Sequence, residues 1–214
     1  MERASPAGPT KRRRQADDVA GDLLASAAIE FAAHGFDGAS TRRIAQRAGA
    51  HQPQINYYFE TKDQLWRVTV SWLFELMEIT DVLERPGDGI EERLRSSIHA
   101  FLVFSAAHPE LNRIINLEAN APSERLDWLV RTHLAPIFAA FSQLWQRLRS
   151  TRADVVLDAG EVWEIITSYG ALHFATAPML SRLGLVAGAG LDDAAAHAQR
   201  VLAIVLPPPL VADP

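Results

Sequence analysis

Apolar residues recur at helical spacing along almost the whole chain, and no stretch alternates apolar and polar positions over enough residues to predict a strand. The expected fold class is all-α, with about nine helices. Val19, Leu23, Leu24, Ala27, Ala28 and Phe31 form one stripe and Gly35 follows it, which predicts a first helix over about 17–34. Ser40 is placed to cap a short second helix in which Ile44 and Ala48 share a face, and Gly49 ends it. A third helix must begin within two or three residues. Pro53 is tolerated only in a first turn, and Ile55, Tyr58 and Phe59 need a core to enter.

Beyond Thr61, a cap, Leu65, Trp66, Val70, Leu73 and Met77 predict a fourth helix ending near the Pro86-Gly87 break. Ile90, Leu94, Ile98, Phe101 and Leu102 give a fifth, stopped by Pro109, and Leu111, Ile114, Ile115 and Leu117 a shorter sixth. Leu126, Val130, Leu134, Ile137, Phe141, Leu144 and Leu148 are spaced 4, 4, 3, 4, 3, 4, a seventh helix that Pro136 is expected to kink. Val162, Ile165, Ile166, Tyr169, Leu172 and Thr176 predict an eighth, and Ala194, Ala198, Val201 and Val205 a ninth ended by Pro207 to Pro209. No internal repeat is visible.

Composition narrows the class. The 214 residues are 48% hydrophobic and 22% charged, the balance of a folding globular chain. There is no run of ~18 apolar residues to span a bilayer, and the first residues lack the apolar core of a signal peptide, so no membrane partner and a cytoplasmic location are expected. The absence of cysteine removes disulfides, thiolate metal sites and cysteine nucleophiles. The net charge of -5 divides unevenly: residues 1–67 carry +2 and the remainder -7. The two parts are expected to face different partners.

The stretch TRRIAQRAGAHQPQINYYFETK, residues 41–62, concentrates turn signals, amides and aromatic hydroxyls. A short helix, a glycine-containing turn and a second short helix make a helix-turn-helix, whose second helix lies in the major groove. Gln52, Gln54 and Asn56 offer amides that pair with base edges, adenine in particular. Tyr57 brings a hydroxyl to a phosphate while its ring packs on sugar or a thymine methyl. Thr41, Arg42, Arg43 and Lys62 sit near helix starts, where side-chain donors and free N–H groups hold phosphates. Ile44, Ala45, Ala48, Ile55, Tyr58 and Phe59 are assigned to the core. Lys11-Arg12-Arg13-Arg14 reads either as a flexible basic arm over residues 1–15 that touches DNA or as a solubilising terminus.

The run Thr41-x-x-Ile44-Ala45-x-x-Ala48-Gly49, followed by Ile55-x-Tyr57-Tyr58-Phe59-x-x-Lys62-x-x-Leu65, resembles the N-terminal signature of the TetR family of bacterial transcriptional regulators. The resemblance covers about residues 16–66 and implies a DNA-binding domain at 16–65 and a helical effector-binding and dimerisation domain at 66–214. It implies that Gln52, Pro53, Gln54, Asn56 and Tyr57 face the major groove, while Thr41, Tyr57 and Lys62 hold the backbone; Ser40, Arg42, Arg43 and His51 complete the expected contact set. Two positions depart from the family pattern. His51 stands where Ser or Thr usually caps the recognition helix, so either Gln54 takes over the capping or the helix begins a residue late. Asn56 stands where Tyr is usual, exchanging a phosphate contact for an adenine contact and altering base preference.

Further implications of the resemblance are a homodimer formed through the last two long helices, a palindromic operator in double-stranded DNA and a small-molecule effector. Gly170, Ala171, Ala175, Ala177 and Ala194 to Ala196 permit close helix approach, either between subunits or within one chain. Candidate ligand contacts are Phe101, Phe104, Asn116, Glu118, Trp128, His133, Trp163 and His173, and the polar segment HPELNRIINLEAN is the first place to look. No cofactor is expected, and no group of residues has metal-ligand spacing. An enzyme built on His108, His133, His173 and Glu118 lacks a nucleophile elbow, phosphate loop or metal motif. The expected function is a regulator, most simply a repressor released by its effector, with a ligand-independent DNA-binding regulator as the alternative.

Overall fold

The computed structural model describes residues 11–83, 88–185 and 191–208. The described residues contain helices and no strand, and they divide into two compact units between Trp72 and Leu73. The division falls inside the helix that also contains the expected boundary at 65/66.

The N-terminal unit is built from α1 (Lys11–Gly38), α2 (Thr41–Arg47), α3 (Gln52–Tyr58) and the first part of α4 (Lys62–Met77). Its core is the expected stripe: Leu23, Ala27, Phe31, Ile44, Ile55, Leu65 and Trp66 are all buried. α1 begins earlier than expected. Lys11 to Arg14, expected in a flexible arm, are helical, because no proline or glycine interrupts residues 11–20 and Lys11 to Ala16 are good helix formers. Residues 1–10 of the expected arm lie outside the described residues. Thr61 caps α4 by accepting the Gln64 N–H at 3.0 Å.

In the C-terminal unit the fourth helix stops sooner than its apolar stripe predicts. Glu78 takes a left-handed φ of 48° and separates α4 from α5 (Ile79–Leu83). The Pro86-Gly87 break lies outside the described residues. α6 (Ile90–Ala107) is the central element, with Leu94, Ile98 and Leu102 buried and with α5, α9, α13 and α7 packed around it. α7 spans Pro109–Glu118.

The long seam at 126–148 forms α8 (Glu124–Leu129), a π-helical stretch (Val130–Leu134) and α9 (Ala135–Arg149). Instead of a simple proline kink, the chain widens just ahead of Pro136, and the Ala135 N–H bonds five residues back to Val130. The reason is local: Pro136 has no N–H for the carbonyl four residues earlier, so the ladder shifts register there.

The next long helix shows the same device: α10 (Ala159–Glu164), a π stretch (Ile165–Ala171) and α11 (Leu172–Ala175), then α12 (Ala177–Arg182) and α13 (Leu191–Val205). Gly170 lies in that π stretch, where an added Cβ would come within 2.7 Å of Leu102 Cδ2. Gly170, Ala171, Ala175, Ala194 and Ala198 are all buried within the chain. Of the two uses open to the small residues expected here, burial thus assigns Gly170, Ala171, Ala175 and Ala194 to packing inside one subunit, while Ala177 is half-buried. Ala195 and Ala196 stay exposed.

Candidate functional site

The turn before α3 is a Schellman motif. The Ala50 N–H bonds to the Ala45 carbonyl at 2.9 Å and the Gly49 N–H to Gln46 at 3.3 Å, with Gly49 at φ 64°. Only glycine takes that φ without strain, so the sequence dictates the abrupt change of direction that presents α3. The helix begins at Gln52 with Pro53 in its first turn. Gln54 closes the N-terminus, its Oε1 accepting the His51 N–H at 2.7 Å while its own N–H donates to the His51 carbonyl at 2.8 Å. Of the two expectations for His51, the structure follows the one in which Gln54 does the capping.

α3 buries Ile55, and Phe59 just beyond it, and turns Gln52, Pro53, Asn56 and Tyr57 outward. Spacing of four stacks Gln52 over Asn56 and Pro53 over Tyr57 as two rows on one face. Tyr57 is 83% exposed, its ring set edge-on to Tyr58 with centroids 5.2 Å apart. An aromatic ring so exposed contributes little to a core. Arg42, Gln46 and Arg47 of α2 are also exposed, and Thr41 is half-buried.

Two of the expected phosphate contacts are held within the chain. Arg43 donates from Nε to Glu30 Oε1 at 2.6 Å and from Nη2 to the Gly38 carbonyl at 2.8 Å. Lys62 Nζ reaches the Asp37 carbonyl at 3.2 Å and lies 4.9 Å from the centre of the Phe36 ring. Both cations thus meet the carbonyls that end α1. Ser40 caps α2, its Oγ taking the Arg43 N–H at 3.4 Å, and its own N–H donates to Glu30 Oε1 at 3.0 Å.

Glu30 organises this corner and was not among the expected residues. It is only 1% exposed. Burial pushes its carboxyl up, but the Ser40 N–H and the Arg43 guanidinium outweigh that and hold it below the usual carboxylate value. Its signal in the sequence is an acid set between Ala27 and Phe31 in an otherwise apolar stripe.

The C-terminal unit contains a cavity of about 180 Å³. Phe74 and Met77 of α4, Ile79 and Leu83 of α5, and Ser97, Ile98 and Phe101 of α6 form part of its wall. α7 adds Leu111, Asn112, Ile115 and Asn116; the remaining wall comes from Leu134, Ile137, Phe141, Trp163, Ile166 and Thr167. No lining residue carries a charge. Three of the four polar ones are satisfied locally: Ser97 Oγ donates to Leu94 O at 3.0 Å, Thr167 Oγ1 to Trp163 O at 2.8 Å and Asn116 Nδ2 to Asn112 O at 2.8 Å. Asn112 is 6% exposed and its Nδ2 has no partner.

The cavity brings together Phe101, Asn116 and Trp163 of the eight candidate ligand contacts. The other five are absent from its wall. Phe104 packs against His108 at 4.8 Å between ring centres, and Glu118 pairs with Arg125 at 3.2 Å and accepts from Ser123 Oγ. Trp128 meets His133 edge-on, and His133 stacks on Phe74 at 4.4 Å, burial pushing its pKa down. His173 stacks on His197 at 4.2 Å. Burial first, then the neighbouring His197 and Arg200, push His173 down. Asn112 lies in the HPELNRIINLEAN segment, so the segment was legible while the residue was not.

Among the described residues no group of three or more His, Cys, Asp or Glu is placed to hold a metal, and no helix is long and apolar enough to cross a membrane.

Residues 23–68 match the family model described as bacterial regulatory proteins, tetR family. A probable HTH-type transcriptional regulator, YttP of Bacillus subtilis (strain 168), is 29% identical over 117 residues, which cover 52% of this chain and 56% of that relative. Solved structures share the fold. A HlyIIR variant aligns with a TM-score of 0.67 at 20% identity, covering 87% of this chain and 96% of that one. A TetR-like transcriptional regulator from Rhodococcus sp. RHA1 gives 0.62 at 19%, covering 92% and 99%. The Bacillus subtilis regulator FadR, solved with stearoyl-CoA, gives 0.60 at 18%, covering 87% and 98%.

Proposed function

We propose that the chain is a transcriptional regulator of the tetR family of bacterial regulatory proteins, whose family model its N-terminal domain matches, and that it is a homodimeric repressor released from a palindromic operator by a small molecule. The observation that carries this reading is the outward face of α3, where Gln52, Asn56 and an 83% exposed Tyr57 stand together on a helix fixed by a tight turn. Amides at that spacing suit base edges in a major groove, and the Tyr57 hydroxyl suits a phosphate. Arg42 and Arg47 remain exposed for the backbone. Arg43 and Lys62, already satisfied by the chain, act chiefly by fixing the corner between α1 and α2.

Residues 73–214 supply the effector site and the dimer in this reading. The largely apolar cavity supports the first, and FadR with stearoyl-CoA is a precedent for a ligand in this fold. Exposed Tyr169, Met179 and Ile204 on the last helices support the second, since large apolar side chains left in water favour a partner surface. The effector acts by binding the non-DNA conformation better, with a coupling of about 1–3 kcal/mol.

The test is selection from a random DNA pool, followed by titration of the recovered site at several salt concentrations. The reading expects a two-fold symmetric site, two protomers per duplex and an affinity that falls steeply with salt. An asymmetric site bound by one protomer would rule out the dimeric form of the proposal.

A further inference from the structure

We infer that the cavity in residues 73–214 takes a neutral, largely apolar molecule of about eight to ten non-hydrogen atoms bearing one hydrogen-bond acceptor, a carbonyl or an ether oxygen, which docks on Asn112 Nδ2. This inference rests on the reading that this unit binds an effector, and it specifies the chemistry of that effector.

Size sets the first limit. A cavity of about 150 Å³ lined by apolar side chains accepts benzene, and this one measures about 180 Å³. A single substituted ring or a compact branched aliphatic molecule fills it.

Charge sets the second. With no Asp, Glu, Lys, Arg or His on the wall, an ion entering the cavity loses its hydration and gains no counter-charge. The ligand is therefore neutral.

Asn112 sets the third. A buried amide N–H without a partner is unfavourable, and native chains rarely keep one without a use. Ser97 Oγ, Thr167 Oγ1 and Asn116 Nδ2 each donate to a backbone carbonyl, whereas Asn112 Nδ2 is a buried lining donor without a partner. A water there needs two to four polar partners, which a wall dominated by Phe, Ile and Leu side chains supplies poorly. A ligand acceptor needs only the one donor.

The surrounding backbone agrees with a built site. Leu134 comes from one π-helical stretch, and Ile166 and Thr167 come from the other. Met77 and Ile79 flank Glu78 with its left-handed φ. π stretches and strained residues concentrate at functional sites.

Three probes of nearly the same planar shape test the inference on the full-length protein by titration calorimetry. Acetophenone carries a carbonyl acceptor, α-methylstyrene replaces the oxygen with a methylene group, and benzoate carries a charge. The expected order is acetophenone about five- to tenfold tighter than α-methylstyrene, with no measurable benzoate binding. In Asn112→Leu the preference for acetophenone is expected to fall below about twofold while α-methylstyrene still binds.

Equal affinity of the two neutral probes for the unaltered protein, benzoate binding as tightly as acetophenone, or no binding of either neutral probe overturns the inference. These outcomes need no variant, so a misfolded Asn112→Leu does not blunt the test. Acetophenone binding that leaves operator affinity unchanged supports the cavity chemistry and counts against effector release instead.

Discussion

The N-terminal unit turns its distinctive chemistry outward on one short helix, whereas the C-terminal unit turns its chemistry inward. On α3 the polar side chains are exposed and the apolar ones hold the helix in place. Around the cavity the wall is mostly apolar, and of its few polar side chains Asn112 keeps a buried amide N–H without a partner. A surface that reads DNA must offer many donors and acceptors that water satisfies until the duplex arrives. A cavity can spare only a few polar atoms, because each one left unpaired costs stability. One unit is therefore expected to tolerate changes at its functional face without unfolding, while changes at the other alter folding and binding together.

The largest effect that sharpens this contrast falls on a hidden support of the outward face. Glu30→Leu leaves the Ser40 N–H and the Arg43 guanidinium without their carboxylate. Because the Arg43 side chain is about half exposed, the loss is expected at about 2–3 kcal/mol, below the figure for a fully buried pair. Chemical denaturation followed through Trp66 fluorescence measures it. The pH dependence has a defined sign. With the folded pKa of Glu30 below its ordinary value, its contribution is present above about pH 4.5 and fades as pH falls through the lower folded value. Glu30→Gln is expected to flatten that acid limb.

Gly170→Val comes next. The new side chain meets Leu102 where even a Cβ comes within 2.7 Å, so the C-terminal unit is expected to lose about 1–3 kcal/mol, read as a lower melting temperature. If the variant melts like the parent, the close approach of this π stretch to α6 is wrong. By contrast, Gln52→Ala and Asn56→Ala are expected to leave the melting temperature unchanged, since both side chains are exposed. Each is expected to weaken operator binding by about 1–3 kcal/mol if it carries a bidentate base contact. A melting shift without an affinity change would invert the comparison.

The smallest effect is acid-dependent. His173 and His197 stack, and burial holds both below the ordinary histidine value. Arg200 also opposes their protonation, the carbonyl of Gly170 favours it at His197, and Asp193 favours it at His173. Their folded pKa values being lowered, the stability they permit is complete above about pH 6.5 and declines as pH falls below it. A melting temperature lower by roughly 2–4 °C at pH 5.5 than at pH 7.5 is expected, and His173→Gln should reduce the difference.

The same contrast explains what the sequence revealed. Gly49, Pro53 and the alternation of buried Ile55 and Phe59 with exposed Gln52, Asn56 and Tyr57 are local signals, so the register of α3 could be read directly. Glu30 was missed because its partners lie 10 and 13 residues away, across a corner that periodicity does not describe. The cavity was harder still. Phe101 and Phe104 share a helix and a chemistry, yet only Phe101 borders the cavity. Asn112 takes its meaning from the apolar side chains of other helices. The end of α4 at Glu78 has no cue of the glycine or proline kind. The widening before Pro136 has such a cue, although proline alone does not distinguish a kink from a π stretch.

The central claim is that the outward face of α3 reads sequence, and it is tested most directly by selecting binding sites from one random DNA pool with the parent protein and with Asn56→Tyr in parallel. The predicted result is a palindrome for each, differing at one symmetry-related base position. Identical preferences for both proteins would contradict a base contact from Asn56, and recovery of no sequence by the parent would contradict the reading of α3 as the recognition helix.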